Sequence, residues 1–375
     1  MRSATIRRAA VLALGVALVA GVTGPADAAS KSKANTAKSV KDVGGMAALV
    51  KLAKAEKELN VIALPPDWAN YGEIISTFSK KYGIKVNSMT PDASSADEIN
   101  AIKSLKGQMR QPDVIDVSLQ FAVQGATEGL LAPYKVSTWN DIPADAKDKD
   151  GLWYSDYGGF IAIGYNAKLV NPAPKSIKDL LNPAYKNQVA LNGDPTRAGA
   201  AFSGVFAASL ANGGSANDIS KGIEFFSALK KAGNFIPVEA TPATVQSGQT
   251  PITLDWDYLQ GKYKDELSGK VDWKVVVPTD AVYGGFYAQA VVKNSPHPAA
   301  ARLWQEFLYS DEGQNLWLKG GARAIRLEAM QKKGTANKTY IANLPQLPAG
   351  AKPVFASLVQ QLLAKVAVAQ NWSKI

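Results

Sequence analysis

A regular alternation of predicted strands and helices in the first third of the chain constrains the fold more than any other feature. Three short apolar runs, bounded by proline, glycine or polar residues, are typical of buried strands. Between them, apolar residues recur every three or four positions, as in the stripe of Tyr71, Ile74 and Phe78, which predicts amphipathic helices. The β-α-β-α-β order predicts a parallel sheet with helices on its faces. The elements are strands 60–64, 84–86 and 112–117, a helix beginning near residue 71 and a helix over 95–107.

The remainder of the chain continues this alternation, with no internal repeat of fixed period. A length of 375 residues and a hydrophobic content of 46% suit about two ordinary domains with cores that need no disulfide bonds. The further predicted strands are 160–165, 189–191, 252–254, 274–277 and 285–292, and the further predicted helices are 176–181, 198–210, 219–232, 300–308 and a final helical face from Phe355 to Val366.

The first 28 residues have the composition of an export signal. Arginines, among them the pair Arg7 and Arg8, precede the apolar run 9–22, which is shorter than the ~20 residues that span a membrane. Residues 26–28 form a small-x-small cleavage site, so we expect the mature chain to begin at Ala29. The arginine pair suggests the twin-arginine route, but the residues around it fit that route poorly, and the choice between it and the general secretory route is left open. The polar, lysine-rich residues 29–44 then predict a flexible tether.

The chain contains no cysteine, which excludes disulfides, thiol catalysis, thiolate metal sites and a lipidated cysteine anchor. The net charge of +10 comes from lysines that are spread out rather than interleaved with aromatic residues, which argues against nucleic-acid binding. No later segment is apolar enough to span a membrane. We therefore expect a soluble protein, without a lipid anchor, in the periplasm or outside the cell.

Four segments carry a resemblance to a known family. They are a strand with a Trp- and Tyr-bearing loop at 61–71, Q-P-D-V-I-D-V at 111–117, G-G-F-I-A-I-G-Y-N at 158–166 and V-V-K-N-S-P-H-P at 291–298. In this order and spacing they resemble the type II periplasmic solute-binding proteins of ABC importers, in the branch that holds polyamine, ferric and phosphonate binders. The resemblance implies a protein that is not an enzyme, is a monomer, binds a small solute without a cofactor and delivers it to the permease subunits.

The resemblance also implies the fold class. That class is α/β, a two-lobed periplasmic binding protein of type II in which each lobe is a mostly parallel sheet flanked by helices and crossover strands join the lobes. Each lobe is then discontinuous in sequence. The predicted division is residues 1–28 as signal peptide, 29–44 as tether, 45–152 plus 284–319 as lobe 1 and 153–283 plus 320–375 as lobe 2.

Candidate binding residues follow from a general property of open α/β sheets, in which ligands bind beyond the carboxyl ends of strands. Six loops at such positions carry both aromatic and polar side chains, which supply contact area and fix the orientation of a solute. Closure of two lobes around the solute would then trap it. The candidates are Trp68, Asn70, Tyr71, Ser118, Gln120, Phe121, Asp156, Tyr157, Thr196, Arg197, Trp256, Asp257, Tyr287 and Gln289.

Several candidates also have purely structural interpretations. Tyr71 lies on the apolar stripe of its helix, and Phe121 fits a core position equally well. Asp257 fits the cap of the following helix. Thr196 and Arg197 lie at a predicted helix start, where they either cap the helix or, with its N–H groups, clamp an anion.

The chemistry of the solute is left open between two classes. Trp68 and Tyr71 reproduce a spacing found in the polyamine branch, and rings beside Asp156 or Asp257 favour a polyamine-like amine or a zwitterion. Gln289, however, is neutral at a position where that branch has an acid. The alternatives within the same fold are an anion such as a phosphonate or phosphate ester, held at Arg197, and ferric iron. The sequence has no adjacent tyrosine pair for iron, and we expect no metal site.

A secreted hydrolase is the alternative from another class of protein. A Ser-His-Asp triad would require His297, the single histidine, which lies between prolines at a predicted helix start. No Gly-x-Ser-x-Gly elbow is present. Paired carboxylates that act on glycosides remain as a possibility, because their separation in space cannot be derived from the sequence. We identify no catalytic residue.

Overall fold

The computed structural model describes residues 33–375, which form a mixed α/β protein. Strands β1 and β2 pair in parallel as a two-stranded sheet, and the other strands form a sheet whose central order is β11-β9-β5-β7-β6. Strands β3 and β4 add to β9, whereas β8 and β10 add to β5. The strands are β1 Glu58–Ile62, β2 Lys85–Met89, β3 Val114–Ser118, β4 Leu131–Ala132, β5 Tyr154–Asn166, β6 Val189–Leu191, β7 Ile252–Trp256, β8 Trp273–Val276, β9 Tyr283–Val292, β10 Arg323–Ala324 and β11 Val354–Phe355.

The helices flank these strands and begin and end where local signals place them. The second helix begins at Tyr71, as predicted, and ends at Gly83, whose φ of 66° suits glycine. The third begins after Ser94, which forms a capping box with Asp97. The α-helices are α1 Met46–Glu56, α2 Tyr71–Tyr82, α3 Ser95–Ser104, α4 Leu119–Thr127, α5 Gly199–Ala211, α6 Ser220–Lys231, α7 Pro242–Ser247, α8 Asp257–Glu266, α9 Pro298–Leu308, α10 Asp311–Lys319, α11 Leu327–Lys333, α12 Lys338–Ala342 and α13 Leu358–Asn371.

Two long strands, β5 and β9, cross from one lobe to the other. The first part of β5 pairs with β9, and its second part pairs with β7 and β8, all in antiparallel fashion. Strands β5 and β9 come into close contact at Gly158 and Gly285. A Cβ atom on Gly158 would lie only 2.1 Å from the carbonyl oxygen of Gly285, so the close approach requires a glycine there. These crossover strands add antiparallel pairing to the parallel pairs β1–β2 and β6–β7. The result is the predicted two-lobed architecture.

The segment 33–43 is packed onto the protein and is not the flexible tether that was predicted for 29–44. Ala34 and Ala37 are buried, and the guanidinium of Arg302 donates hydrogen bonds to the carbonyl oxygens of Asn35 (2.8 Å) and Ala37 (2.9 Å). Small alanines among the lysines allow this close packing, which composition alone did not indicate. Residues 1–32, with the predicted signal peptide and the start of the tether, lie outside the described residues.

The C-terminal helix α13 contacts both lobes. Lys365 donates a hydrogen bond of 2.8 Å to Gln124 in α4, and the ring of Trp372 lies 5.5 Å from that of Phe226 in α6. The apolar face predicted from Phe355 onward is only partly used, because Val359 and Leu363 are exposed. No helix among residues 33–375 combines the length and the apolar character that a membrane span requires.

Candidate functional site

A cleft of about 770 Å³, counted with its open mouth, lies where loops from both lobes meet at the carboxyl ends of the strands. From lobe 1 it is lined by the loops that follow β1 and β2, and from lobe 2 by residues that follow β6 and by the start of α5. The crossover strands contribute Tyr157 and Tyr287 to its floor. This is the position that the rule for open α/β sheets predicts.

Aromatic side chains from separate segments meet in this cleft. The indole N–H of Trp68 donates a hydrogen bond of 2.7 Å to the hydroxyl of Tyr157. The Trp68 ring also lies edge-on to Tyr258 and Tyr287, with centroids 5.9 and 5.7 Å apart. The indole N–H of Trp256 approaches the Tyr287 hydroxyl oxygen at 3.4 Å. Of the predicted aromatic residues, Trp68, Tyr157 and Tyr287 line the cleft, whereas Trp256 is buried, does not line it and contacts it only through Tyr287.

Asp116, in the middle of β3, contacts this cluster and lines the cleft. Its Oδ2 accepts hydrogen bonds from the hydroxyls of Tyr71 (2.6 Å) and Tyr157 (2.9 Å). Its Oδ1 is buried and has no hydrogen-bond partner within residues 33–375. Burial raises the pKa of Asp116 to about 7, although the two tyrosine hydrogen bonds act in the opposite direction.

Further carboxylic acids surround the cleft. Glu98 is buried, accepts the backbone N–H of Asp116 at 3.0 Å, and has a pKa raised well above its usual value by burial and by the Asp116 charge. Burial also raises the pKa of Asp67 and of Glu239, and the charge of Asp92 raises both further. No lysine or arginine is among the described residues that line the cleft. The site is therefore acidic, with aromatic walls.

A sequence model described as "Bacterial extracellular solute-binding protein" matches residues 110–339. The chain belongs to this family. It is accordingly an extracellular solute-binding protein.

Individual relatives of this solute-binding protein differ in what they bind. A Salmonella typhimurium (strain LT2) periplasmic protein, described as 2-aminoethylphosphonate-binding, is 33% identical over 79 residues, which is 21% of this chain and 22% of that protein. The match therefore spans about a fifth of either chain, and it leaves the solute of this protein open.

Solved structures share the fold at low identity. AgtB from A. tumefaciens R10, in complex with agropinic acid, superposes with a TM-score of 0.66 at 17% identity, covering 84% of this chain and 98% of AgtB. AfuA from Actinobacillus pleuropneumoniae, with fructose-6-phosphate bound, gives 0.63 at 19%, covering 85% and 99%. Iron-bound HitA from Pseudomonas aeruginosa gives 0.60 at 20%, covering 84% and 98%. These structures show the fold and not the solute.

Some predicted binding residues of this solute-binding protein lie behind the cleft, where they support it. Tyr71 is fully buried and reaches the cleft only through Asp116. Gln289 donates a hydrogen bond of 2.9 Å to the Tyr71 hydroxyl. Asp156 is buried and accepts the backbone N–H of Tyr157 at 2.8 Å. Ser118 is nearly buried, and its N–H donates to the Ser95 hydroxyl at 3.1 Å.

Other predicted residues are held by contacts away from the cleft. The amide of Asn70 donates to the carbonyl of Leu316, and Asp257 forms a 2.7 Å ion pair with Arg323. Phe121 belongs to a core cluster. The remaining candidate of this group, Gln120, is buried in the first turn of α4 and does not line the cleft.

The proposed anion clamp is occupied by acids of the protein itself. The Thr196 hydroxyl donates to Asp194 at 2.7 Å, and the Arg197 guanidinium forms an ion pair with Asp97. The Arg197 carbonyl accepts the N–H of Ala96 at 3.3 Å. Asp97 and Ala96 belong to α3 on one side of the cleft, whereas Arg197 precedes α5 on the other side. These residues therefore connect the lobes at the mouth of the cleft.

Several cleft residues were missed by the sequence analysis. Asp92 and Ser95 follow β2, and Asn192 follows β6, so the same carboxyl-end rule would have identified them had it been applied to those strands. Glu98 lies inside a helix, and Asp116 lies inside a strand. For these two acids, no local sequence signal distinguishes a cleft position from a solvent-facing one.

Proposed function

We propose that this protein captures a small solute that carries a protonated amine, closes its two lobes around it and delivers it to the permease of an ABC importer. One observation carries the proposal. Five carboxylic acids line the cleft, and no lysine or arginine within residues 33–375 does so. The five are Asp67, Asp92, Glu98, Asp116 and Glu239.

A cationic solute relieves the electrostatic cost of this arrangement. Glu98 and Asp116 are both buried, and the charge of each disfavours ionisation of the other. A positive charge placed between them favours both ionised forms and gains from the low dielectric of the site. The rings of Trp68, Tyr157 and Tyr287 offer the faces and edges against which an organic cation packs.

Closure of the lobes is the step that would trap the solute. The contacts of Arg197 with α3 and of Trp68 with Tyr258 join the two sides of the cleft. A solute drives closure only if it binds the closed form more tightly than the open form. We propose the division of lobes at 45–152 plus 284–319 and 153–283 plus 320–375, with the pivot in β5 and β9, and a monomer as the working unit.

A zwitterion is the second candidate for the solute, and a separate observation favours it. Helix α5 begins at the cleft, and Ala198, Gly199 and Ala200 line it. The helix has no side-chain cap, so its first N–H groups and its dipole could receive a carboxylate or phosphonate. The nearby Glu239 carboxylate opposes an anion there. An amine that also bears an oxyanion would use both ends of the cleft.

We also propose that the protein binds without chemical turnover and acts after export. The family to which the chain belongs is described as solute-binding, which supports this proposal. Removal of residues 1–28 would release a protein that is free in the periplasm or outside the cell. N-terminal sequencing of the exported protein tests the cleavage site.

A thermal-shift panel tests the solute class. The probes are 1,4-diaminobutane, 4-aminobutanoate, 2-aminoethylphosphonate and inorganic phosphate. A ligand at 100 times its Kd adds about 2.7 kcal/mol to folded stability, which is a rise of several degrees in Tm. We expect this rise with an amine and not with phosphate. Asp116→Asn should diminish the rise, whereas Asp265→Asn, which changes an exposed acid outside the cleft, should not. A response to phosphate alone would contradict the proposal.

A further inference from the structure

We propose that the charged group of the solute carries N–H donors and that Asp116 receives them, so that the site selects primary, secondary or tertiary ammonium ions over quaternary ones. This inference rests on the proposed function, since it presupposes a cationic solute. It adds a chemical requirement that aromatic walls and negative charge alone would not impose.

The requirement comes from one unsatisfied atom. Asp116 is 6% exposed and lines the cleft, and its Oδ1 lacks a hydrogen-bond partner in the described part of the chain. Buried polar groups almost always have partners, because leaving one unpaired is costly. A carboxylate oxygen accepts hydrogen bonds, so the missing partner must be a donor.

The protein itself supplies no cation for this oxygen. Arg197 is paired with Asp97, Arg323 with Asp257, and Lys262 with Glu266 at 3.0 Å. None of these three residues, and no other arginine or lysine among residues 33–375, lines the cleft. A donor on the solute would complete the hydrogen bonding of Oδ1.

The rest of the carboxylate is held in a fixed orientation. The hydroxyls of Tyr71 and Tyr157 both donate to Oδ2. Each hydroxyl in turn accepts a hydrogen bond, from Gln289 in one case and from the indole of Trp68 in the other. Two chains of donors thus converge on Oδ2, whereas Oδ1, which is buried, receives no hydrogen bond within residues 33–375. Such support is what a precise binding group needs.

A quaternary ammonium would fit the aromatic walls and fail at Asp116. It has no N–H, so Oδ1 would stay unpaired. Leaving a buried acceptor unpaired weakens binding by about 10- to 100-fold relative to a matched donor. Cation–π contacts with Trp68 or Tyr287 are available to either kind of ammonium and do not discriminate between them.

Calorimetry with matched pairs tests this inference on the wild-type protein. The pairs are 1,4-diaminobutane and its fully N-methylated dication, 4-aminobutanoate and its trimethylammonium analogue, and 2-aminoethanol and choline. In any pair that binds, we expect the N–H member to bind at least about 10-fold more tightly. Asp116→Asn should reduce that preference, and Asp265→Asn should leave it intact. Near-UV circular dichroism verifies that each variant is folded.

The outcomes separate the two proposals. If a quaternary member binds as tightly as its N–H partner, or if folded Asp116→Asn keeps the full preference, this inference is wrong and an amine-binding function still stands. If no amine of either kind binds and inorganic phosphate does, the proposed function fails as well. Absence of binding by all six amines would reject the amine class and with it both proposals.

Discussion

Gly199 at the start of α5 packs directly against Ser118 at the end of β3, and a methyl group on Gly199 would lie 2.5 Å from the Cβ of Ser118. Cβ atoms do not approach side-chain carbons this closely. The two lobes reach each other at this point because the residue in lobe 2 has no side chain.

Gly199→Ala should therefore hinder closure. The added methyl group meets Ser118 only when the lobes are together, and overpacking of this kind costs about 1–3 kcal/mol. We expect solute affinity to fall by about 5- to 100-fold with an unchanged Tm of the solute-free protein. Calorimetry and small-angle X-ray scattering measure affinity and closure. Gly261→Ala in α8, where a Cβ meets nothing within 4 Å, is the matched control. Equal affinity of Gly199→Ala and wild type would contradict this prediction.

Arg197→Ala should accelerate solute release slightly. The side chains of Arg197 and Asp97 are 49% and 41% exposed, so their ion pair contributes only about 0.2–1 kcal/mol, or up to about a fivefold change in koff. Stopped-flow measurements should show that the effect disappears at high salt, where the charges are screened. Lys221→Ala, which removes an exposed pair with Glu224 inside lobe 2, is the control. Complete loss of binding would instead place Arg197 on the solute as an anion clamp.

Arg323→Ala should destabilise the protein without removing the site. Asp257 is buried, and loss of its partner leaves an unpaired buried charge, which costs about 3–5 kcal/mol. Urea unfolding measures this loss, and calorimetry at low temperature measures affinity in the fraction that remains folded. Lys332→Ala, in an exposed pair with Glu328, should change neither. Should Asp257→Asn abolish binding at full stability, Asp257 would have to contact the solute.

The solute-free protein should become more stable as the pH falls from 8 to about 5.5. Burial raises the pKa of Asp255 and Asp116 to about 7, so the folded protein holds these protons when the unfolded chain, with an Asp pKa of about 3.9, has lost them. Because of these two groups, the free energy of unfolding decreases as the pH rises toward 7. The pKa of His297 is also raised: burial acts against this, but the hydrogen bond and charge of Asp113 outweigh it. The stabilisation that protonated His297 gives to the folded state is therefore lost as the pH rises through that pKa.

Scanning calorimetry across this range is the measurement. In Asp116→Asn, Tm should depend less on pH than in the wild type. A wild-type Tm that decreases as the pH is lowered from 7.5 to 5.5 would contradict the raised pKa of these acids. Below about pH 4 the trend should reverse, because carboxylates such as Glu73, whose pKa is lowered by its hydrogen bond from Lys319, lose their charge.

Amine affinity should show the opposite pH dependence. Binding of an ammonium ion requires ionised Asp116, whose pKa is about 7 in the solute-free protein. Affinity should therefore rise by up to about 10-fold per pH unit below pH 7 and level off above it. The control is Asp116→Asn, in which the residual affinity should lose most of this dependence. Affinity that is constant from pH 5.5 to 8 would show that Asp116 does not receive the charge.

The sequence was most informative where local rules act alone. The helix from Tyr71 to Tyr82 was predicted from the spacing of its apolar residues and from Gly83, because both signals lie within the helix itself. The strand over 189–191 was predicted to the residue for a similar reason. The loop after β1 then pointed to Trp68 and the crossover strand β5 to Tyr157, which both line the cleft, whereas Trp256 at the end of β7 is buried and does not line it.

What could not be predicted depends on contacts between distant segments. Phe121 has the same local signature as a cleft residue, yet the ammonium group of Lys365 lies 3.9 Å from its ring centre. Arg197 was predicted to bind an anion, but its guanidinium is paired with Asp97, which lies 100 residues away in the sequence. In the same way, Asp116 became the central acid only because Tyr71 and Tyr157 fold onto one of its oxygens.

The anchoring of residues 33–43 by Arg302 has a practical consequence for measurements of motion. The N-terminal end of the folded chain is fixed to lobe 1, close to Asn294 and Lys135. A fluorophore or a surface linkage attached there would keep a constant position relative to lobe 1, and lobe 2 would move relative to it. A second label on an exposed residue of α6 would then convert each capture of solute into a change of distance.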